Sequence, residues 1–215
     1  MAGEFKLHLG CGSTVVPGWE NIDRSPNVLL SRVPGARALL GRIGVLTPEQ
    51  AKAEFPPGIV HADVRRRIPY PDESARYVYS SHMIEHMVRR DALAVVEESL
   101  RVLAPGGILR IATPDLAELV EGYRSEYAWE GMTPADTFMH SFGSSTLPAS
   151  PLRRLAHQLL TQPHQWLYDA ESLTRLFADG GFVDIRERTF RESAIPEIAE
   201  IEDRAQSVFV EGARP

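Results

Sequence analysis

The chain has 215 residues, of which 43% are hydrophobic and 24% charged, a composition typical of a folded domain. This length predicts one well-buried α/β domain over 1–215 and is short for two. The formal net charge of −6 argues against a broad phosphate-binding surface, and hence against nucleic acid as a partner. The three arginines at 65–67 are expected to form a solvated or substrate-facing rim.

The single cysteine, Cys11, excludes an intramolecular disulfide and a metal site built from cysteines. Its position between two glycines favours a packing role over a nucleophilic one. No signal peptide precedes the first predicted strand, and no apolar run approaches membrane-spanning length. The sequence therefore predicts a cytoplasmic protein without a membrane partner.

The first predicted strand, 5–9, ends in a turn with glycine at positions 10 and 12. Because glycine has no Cβ atom, a small molecule can lie against the bare backbone of such a turn. A second short apolar run ends at Asp23, and an acid at that position accepts hydrogen bonds from the ribose hydroxyls of a nucleoside. The interval is short for a full helix between the two strands, so Glu20 is an alternative acid.

Strands and helices alternate along the rest of the chain. Further strands are predicted at 59–63, 77–81, 108–112, 182–187 and 207–210, and helices at 47–55, 93–103, from 113 onward, 150–159 and 169–180. This alternation predicts a doubly wound, mostly parallel sheet of seven strands. The helical periodicity weakens near 130–165, where an insertion over the acceptor site is expected.

Six motifs occur in the order found in class I S-adenosylmethionine-dependent methyltransferases, which the chain resembles. They are Leu7–Gly12, Asp23, Ala62-Asp63, Ile84–His86, Leu103–Gly107 and Ala178–Phe182. The stretch 17–23 further resembles small bacterial methyltransferases of polysaccharide and glycoside assembly, such as the methylmannose polysaccharide O-methyltransferases. The resemblance implies a Rossmann-like methyltransferase fold with an antiparallel last strand, and S-adenosylmethionine as the cofactor.

The resemblance also implies which residues bind this cofactor: Gly10, Cys11, Gly12, Asp23, Ala62, Asp63, Ser81 and His82. The glycine turn would approach the methionine part, Asp23 the ribose, and Asp63 the adenine. Ser81 and His82 would line the sulfonium end. The alternative for Asp23 and Asp63 is that each only forms a turn.

Methyl transfer to a hydroxyl requires that the hydroxyl proton leave, and a neutral histidine is the natural base near pH 7. The candidates, with the first three in order of preference, are His140, His164, His82, His86 and His157. Glu85 could instead be the base, or join Asp115 or another acid in a divalent-ion site. The spacing does not support a magnesium site strongly, so the metal stays open. His61 is expected in the core or at a strand end.

The sequence therefore predicts an O-methyltransferase acting on a hydroxyl of a carbohydrate or glycoside, with a mannoside as one candidate. The alternatives are a small natural product or quinone-like acceptor, and a non-catalytic cofactor-binding subunit. A dinucleotide is disfavoured because no third glycine follows Gly12 in the required register. A homodimer is left open.

Overall fold

The computed structural model describes residues 4–142 and 162–215. The predicted helix at 150–159 and the candidate base His157 lie outside the described residues. No helix in the described part is long and apolar enough to cross a membrane.

The described strands form one sheet in the order β3-β2-β1-β4-β5-β7-β6. Their bounds are β1 Phe5–Leu9, β2 Glu20–Asp23, β3 Val60–His61, β4 Ala75–Ser81, β5 Leu103–Thr113, β6 Val183–Arg188 and β7 Val208–Ala213. The first five strands pair in parallel. Strand β7 lies between β5 and β6 and is antiparallel to both. This arrangement confirms the predicted seven-stranded α/β sheet with an antiparallel last strand.

The helices of the described residues are α1 Pro26–Ser31, α2 Ala36–Arg42, α3 Pro48–Lys52, α4 Arg89–Val102, α5 Leu116–Arg124, α6 Pro134–Ser141, α7 Ala170–Asp179 and α8 Ile198–Ile201. A capping box stabilises the start of α3, because the side chains of Thr47 and Gln50 each accept a hydrogen bond from the other residue's backbone amide. Likewise, α7 begins after the Asp169 cap and ends at Gly180.

Alternate residues of β4 pack on opposite faces of the sheet, as the period of a strand requires. Val78 belongs to the large core that includes the buried side of α4 and α7. Tyr77 and Tyr79 belong to a second cluster with Trp19 and residues 195–198. Both faces are therefore covered, which leaves the carboxyl-terminal edge of the parallel strands as the place where a ligand can enter.

One local prediction was wrong. The helix expected from Thr113 begins at Leu116 after an Asp115 cap, because Thr113 is still paired in β5. His61 lies at a strand end, which is one of its two expected positions, and it is exposed because β3 is the outermost strand on its side of the sheet. Its Nε2 atom lies 3.2 Å from the carbonyl oxygen of Arg24.

Candidate active site

The glycine turn after β1 is held against the end of β2. The amides of Gly10 and Cys11 donate to the carbonyl of Ile22, at 2.8 and 3.2 Å. The amide of Gly12 donates to Asp23 Oδ2 at 2.9 Å, and the Ser25 amide donates to Asp23 Oδ1 at 2.6 Å. The short connection therefore brings Asp23 directly to the turn, without a helix between them.

This turn opens onto a cavity of about 330 Å³. Its lining comes from the ends of β1 to β4 and from the segment before α7: Gly10, Gly12, Ile22, Asp23, Arg24, Ser25, Ala62, Val64, His82, Met83, His86, Met87 and Gln162. Gly12 has φ +56°, and a Cβ atom added there would meet no protein atom within 4 Å. We call this space the turn cavity.

The remaining predicted cofactor residues lie around the turn cavity with different side-chain environments. Cys11 is buried against Val28 and Ile59, and burial, with the nearby Asp23 charge adding to it, raises the pKa of its thiol to about 12. Ser81 ends β4, but it is not among the residues that line the cavity. The structure therefore places the Cys11 side chain in the core, as the packing interpretation requires.

The Asp63 carboxylate accepts hydrogen bonds from its neighbour Arg65. The guanidinium donates to both carboxylate oxygens, at 2.8 and 2.6 Å, and lowers the pKa of Asp63. Arg65 also pairs with Asp91 at 3.3 Å, whereas the Arg66 side chain is 88% exposed and its Nε atom lies 3.9 Å from Asp63 Oδ2. Ala62 lines the turn cavity and Asp63 does not, so the adenine role of the Asp63 carboxylate stays a prediction.

A second cavity, of about 410 Å³, lies on the other side of His82. Apart from His82, it is lined by α5, α6 and the segments around them, and by residues before α7 and β7: Pro114, Asp115, Glu118, Leu119, Gly122, Tyr123, Tyr127, Trp129, Pro134, Thr137, Phe138, Ser141, His164, Arg204 and Gln206. The apolar residues Leu119 and Tyr123 of α5 thus face this space, which explains why the Tyr123 side chain is 51% exposed. We call it the aromatic cavity.

His82 is the side chain common to the two cavities. Its backbone has φ +51°, a strained conformation for a residue other than glycine. Its Nε2 atom lies 2.9 Å from Ser207 Oγ, and its Nδ1 atom lies 3.3 Å from Glu85 Oε1. This imidazole therefore lies at the point where the two cavities meet, bonded to Ser207 and close to the Glu85 carboxylate.

The two preferred candidate bases differ in position. His164 lines the aromatic cavity, and burial lowers its pKa. His140 is exposed on α6, with its ring near Trp129 at 6.3 Å between centroids, and it lines neither cavity. Glu85 is fully buried beside His82. Asp115 instead caps α5 by accepting from the Ala117 amide.

The sequence interpretation missed the contribution of the segment before β7. Arg204 and Gln206 line the aromatic cavity, and Ser207 contacts His82. A signal for this was present, because an antiparallel strand begins at the edge where its parallel neighbours end. The residues just before an antiparallel last strand must therefore lie beside the ligand edge.

Comparison with known proteins gives a family match over part of the chain. Residues 42–111 match the model of the methyltransferase domain family, a span that includes Ala62, His82, Glu85 and His86. No curated protein matches the chain. Among solved structures, a candidate O-methyltransferase from Nostoc punctiforme is 14% identical over 98% of this chain and 52% of its own, with a TM-score of 0.51.

A second similar structure is the complex of the Haloferax volcanii Trm112 methyltransferase activator with a candidate methyltransferase. It is 16% identical over 100% of this chain and 84% of that one, with a TM-score of 0.50. A candidate exported protein from Bordetella parapertussis is 16% identical over 100% of this chain, with a TM-score of 0.49. The chain spans 63% of that protein and about half of the Nostoc chain, so it is shorter than several of the structures it resembles.

The chain has the class I methyltransferase fold. The strand order, the antiparallel β7 and the domain match agree on this. S-adenosylmethionine is the cofactor that the resemblance of the sequence implies for this fold. The turn cavity fits that group for two reasons. The open space at Gly12 lets part of the cofactor lie against the backbone, and the fixed Asp23 carboxylate can accept hydrogen bonds from a ribose.

Proposed function

We propose that this protein transfers a methyl group from S-adenosylmethionine to a hydroxyl group of a carbohydrate or glycoside. The observation that carries the proposal is the aromatic cavity, which meets the turn cavity at His82. An acceptor in one cavity and the cofactor in the other would face each other across this residue. Such an arrangement holds two reactants in line, which is the main requirement of a displacement reaction.

Two features of the aromatic cavity favour a sugar. Tyr123, Tyr127 and Trp129 are 51%, 61% and 44% exposed, so their rings are free to stack on the apolar face of a sugar. The same lining includes the charged side chains of Glu118 and Arg204, which can bond to sugar hydroxyls. A mannoside is one candidate among such acceptors. A quinone-like or small natural-product acceptor would be better served by a lining without charges.

The cofactor, when bound, supplies a methyl group on a positively charged sulfur atom. The protein's own part is then to hold both molecules, to exclude water and to receive the hydroxyl proton. Asp23 and the glycine turn would hold the cofactor. We assign the hydroxyl proton to His82 rather than to His140, because His82 lines both cavities and His140 lines neither.

An acceptor screen with labelled S-adenosylmethionine tests this proposal. Monosaccharides, oligosaccharides, phenols, quinols and small acids are each incubated with the full-length protein, and transfer of label is counted. We expect label in sugars, and we expect Tyr123→Ala to lower that transfer while leaving affinity for S-adenosylhomocysteine unchanged. Label only in phenols or acids would contradict the sugar acceptor. Cofactor binding without label in any acceptor would favour the non-catalytic subunit.

A further inference from the structure

Three potential metal ligands meet at the wall between the two cavities. Glu85 and His86 lie on a 3-10 turn, Ile84–His86, that follows β4, and His164 comes from the segment before α7. One ligand atom from each of the three residues lies within 4.8 Å of the other two. A carboxylate and two imidazoles in one place are a donor set that binds divalent transition metals.

Backbone hydrogen bonds hold the two segments together. The amides of Gln165 and Trp166 both donate to the carbonyl oxygen of Glu85, at 2.6 and 3.1 Å. The side-chain amide of Gln165 donates to the carbonyl oxygen of His86 at 2.8 Å. His164 is therefore fixed next to Glu85 and His86 by contacts that do not use the ligand atoms themselves.

Three polar atoms of this cluster, one from each residue, are buried and lack hydrogen-bond partners among the described residues. Glu85 is 0% exposed, and its Oε2 atom accepts from Thr113 Oγ1 at 3.3 Å. Its Oε1 atom accepts no hydrogen bond, although His82 Nδ1 lies 3.3 Å away. The Nδ1 atoms of His86 and His164 are also buried without a partner. Leaving three such atoms unsatisfied is costly, and an ion bound by all three would offset that cost.

We propose that Glu85, His86 and His164 bind a divalent transition-metal ion such as Zn²⁺. Magnesium prefers an all-oxygen shell, so two imidazoles and one carboxylate disfavour it. Two ligands at about 2.1 Å from a tetrahedral ion lie about 3.4 Å apart, so the widest pair would close by up to about 1.4 Å on binding. Side-chain rotation is sufficient for a movement of this size.

The ion site deepens the proposed function and, in its consequence for the reaction, rests on it. His164 lines the aromatic cavity and His86 lines the turn cavity, so an ion between them would lie where the acceptor oxygen has to be placed. A divalent ion at this position can bind and orient that oxygen. The binding of the ion itself does not depend on which acceptor the protein uses.

Calorimetry with Zn²⁺ tests the site on the full-length protein after treatment with a chelator and its removal. The wild-type protein is compared with His86→Ala and His164→Ala. The matched control is His140→Ala, which removes an exposed histidine that lines neither cavity. Co²⁺ uptake, followed by its visible absorption, gives a second readout that is independent of activity.

We expect about one ion per wild-type chain, an unchanged affinity for His140→Ala, and at least a tenfold loss for His86→Ala and His164→Ala. A wild-type protein that binds no ion would overturn the proposal. Equal ion affinity of the wild-type protein and all three variants would overturn it as well. Affinity of His164→Ala for S-adenosylhomocysteine shows whether the variant is folded. Sugar methylation by a protein that binds no ion would overturn the ion site and leave the proposed function standing. Ion binding by a protein that methylates no sugar would leave the ion site standing and overturn the sugar acceptor.

Discussion

The backbone amide of Gly12 donates a 2.9 Å hydrogen bond to the carboxylate of Asp23, although only a short irregular connection separates the two residues. The second carboxylate oxygen accepts from the Ser25 amide. Both oxygens are therefore anchored to backbone, while each keeps a further lone pair for a ligand. The acid at the end of β2 and the glycine turn after β1 thus form one rigid wall of the turn cavity.

Replacing Gly12 by alanine should weaken cofactor binding. The new Cβ atom would project into open space at the cavity wall. An alanine in the left-handed backbone conformation of position 12 would also cost about 1 kcal/mol of stability. Gly18→Ala is the matched control, because Gly18 also has a positive φ and open space but does not line the cavity. We expect both variants to lose similar stability in urea denaturation, and only Gly12→Ala to lose about tenfold or more in affinity for S-adenosylhomocysteine by calorimetry. Equal affinities would contradict this.

Cys11 should resist alkylation in the folded protein. Because burial raises its pKa to about 12, the thiol carries almost no thiolate near pH 8. Mass spectrometry after iodoacetamide treatment should show an unmodified native chain and a fully modified chain in urea. The chain has one cysteine, so the signal has a single source. Rapid modification of the native protein would show that the thiol is accessible and reactive.

Arg110 should be essential for stability. This buried side chain pairs with Glu202 at 2.8 Å through two nitrogens and with Glu211 at 3.0 Å. Arg110→Met would leave two buried carboxylates without their main partner, at a cost of about 3–5 kcal/mol in the free energy of unfolding. Arg89→Met, which breaks a pair with Asp179 that is about one-third exposed, should cost less than about 1 kcal/mol. Urea denaturation that gave equal losses for the two variants would refute this difference.

His8 should make stability depend on pH. Burial lowers its pKa below the ordinary value of 6.5, against the opposing effect of a hydrogen bond with Asn21. As pH falls below 6.5, the unfolded chain takes up a proton that the folded chain does not, so this contribution to stability is lost with falling pH. His8→Gln should therefore flatten the fall in unfolding free energy between about pH 7.5 and 5.5. His61→Gln, at an exposed position, should leave the profile unchanged; a profile for His8→Gln as steep as that of the wild type would contradict the assignment.

The sheet and the turn cavity could be predicted because local patterns encode them. An apolar run that ends in glycines, as at 5–12, or in an acid, as at Asp23, carries its own signal of a strand end beside a ligand. The short connection, and the alternative that Asp23 only forms a turn, leave its role open in the sequence. In the structure Asp23 is bonded to the backbone of the glycine turn, while the alternative acid Glu20 accepts from the hydroxyl of Tyr70. The ribose role of Asp23 stays a prediction.

The wall between the cavities could not be predicted in the same way, because it depends on contacts between distant segments. His164 and Glu85 are 79 positions apart and meet through the backbone of Gln165 and Trp166. No periodicity shows that His140 lies outside both cavities, since its aromatic neighbours suit a pocket equally well. Sequence spacing likewise does not show which of the three arginines at 65–67 pairs with Asp63, which in the structure is Arg65.

The most direct test of the whole account is calorimetry of S-adenosylhomocysteine with the wild-type protein, Asp23→Asn and Glu20→Gln. Asp23 lines the turn cavity, whereas Glu20 does not and is engaged with Tyr70. We predict one site per chain in the wild type, an affinity reduced by about tenfold or more for Asp23→Asn, and no change for Glu20→Gln, since a lost charged hydrogen bond costs about 1.5–3 kcal/mol. A wild-type protein that binds no S-adenosylhomocysteine would contradict the account at its foundation.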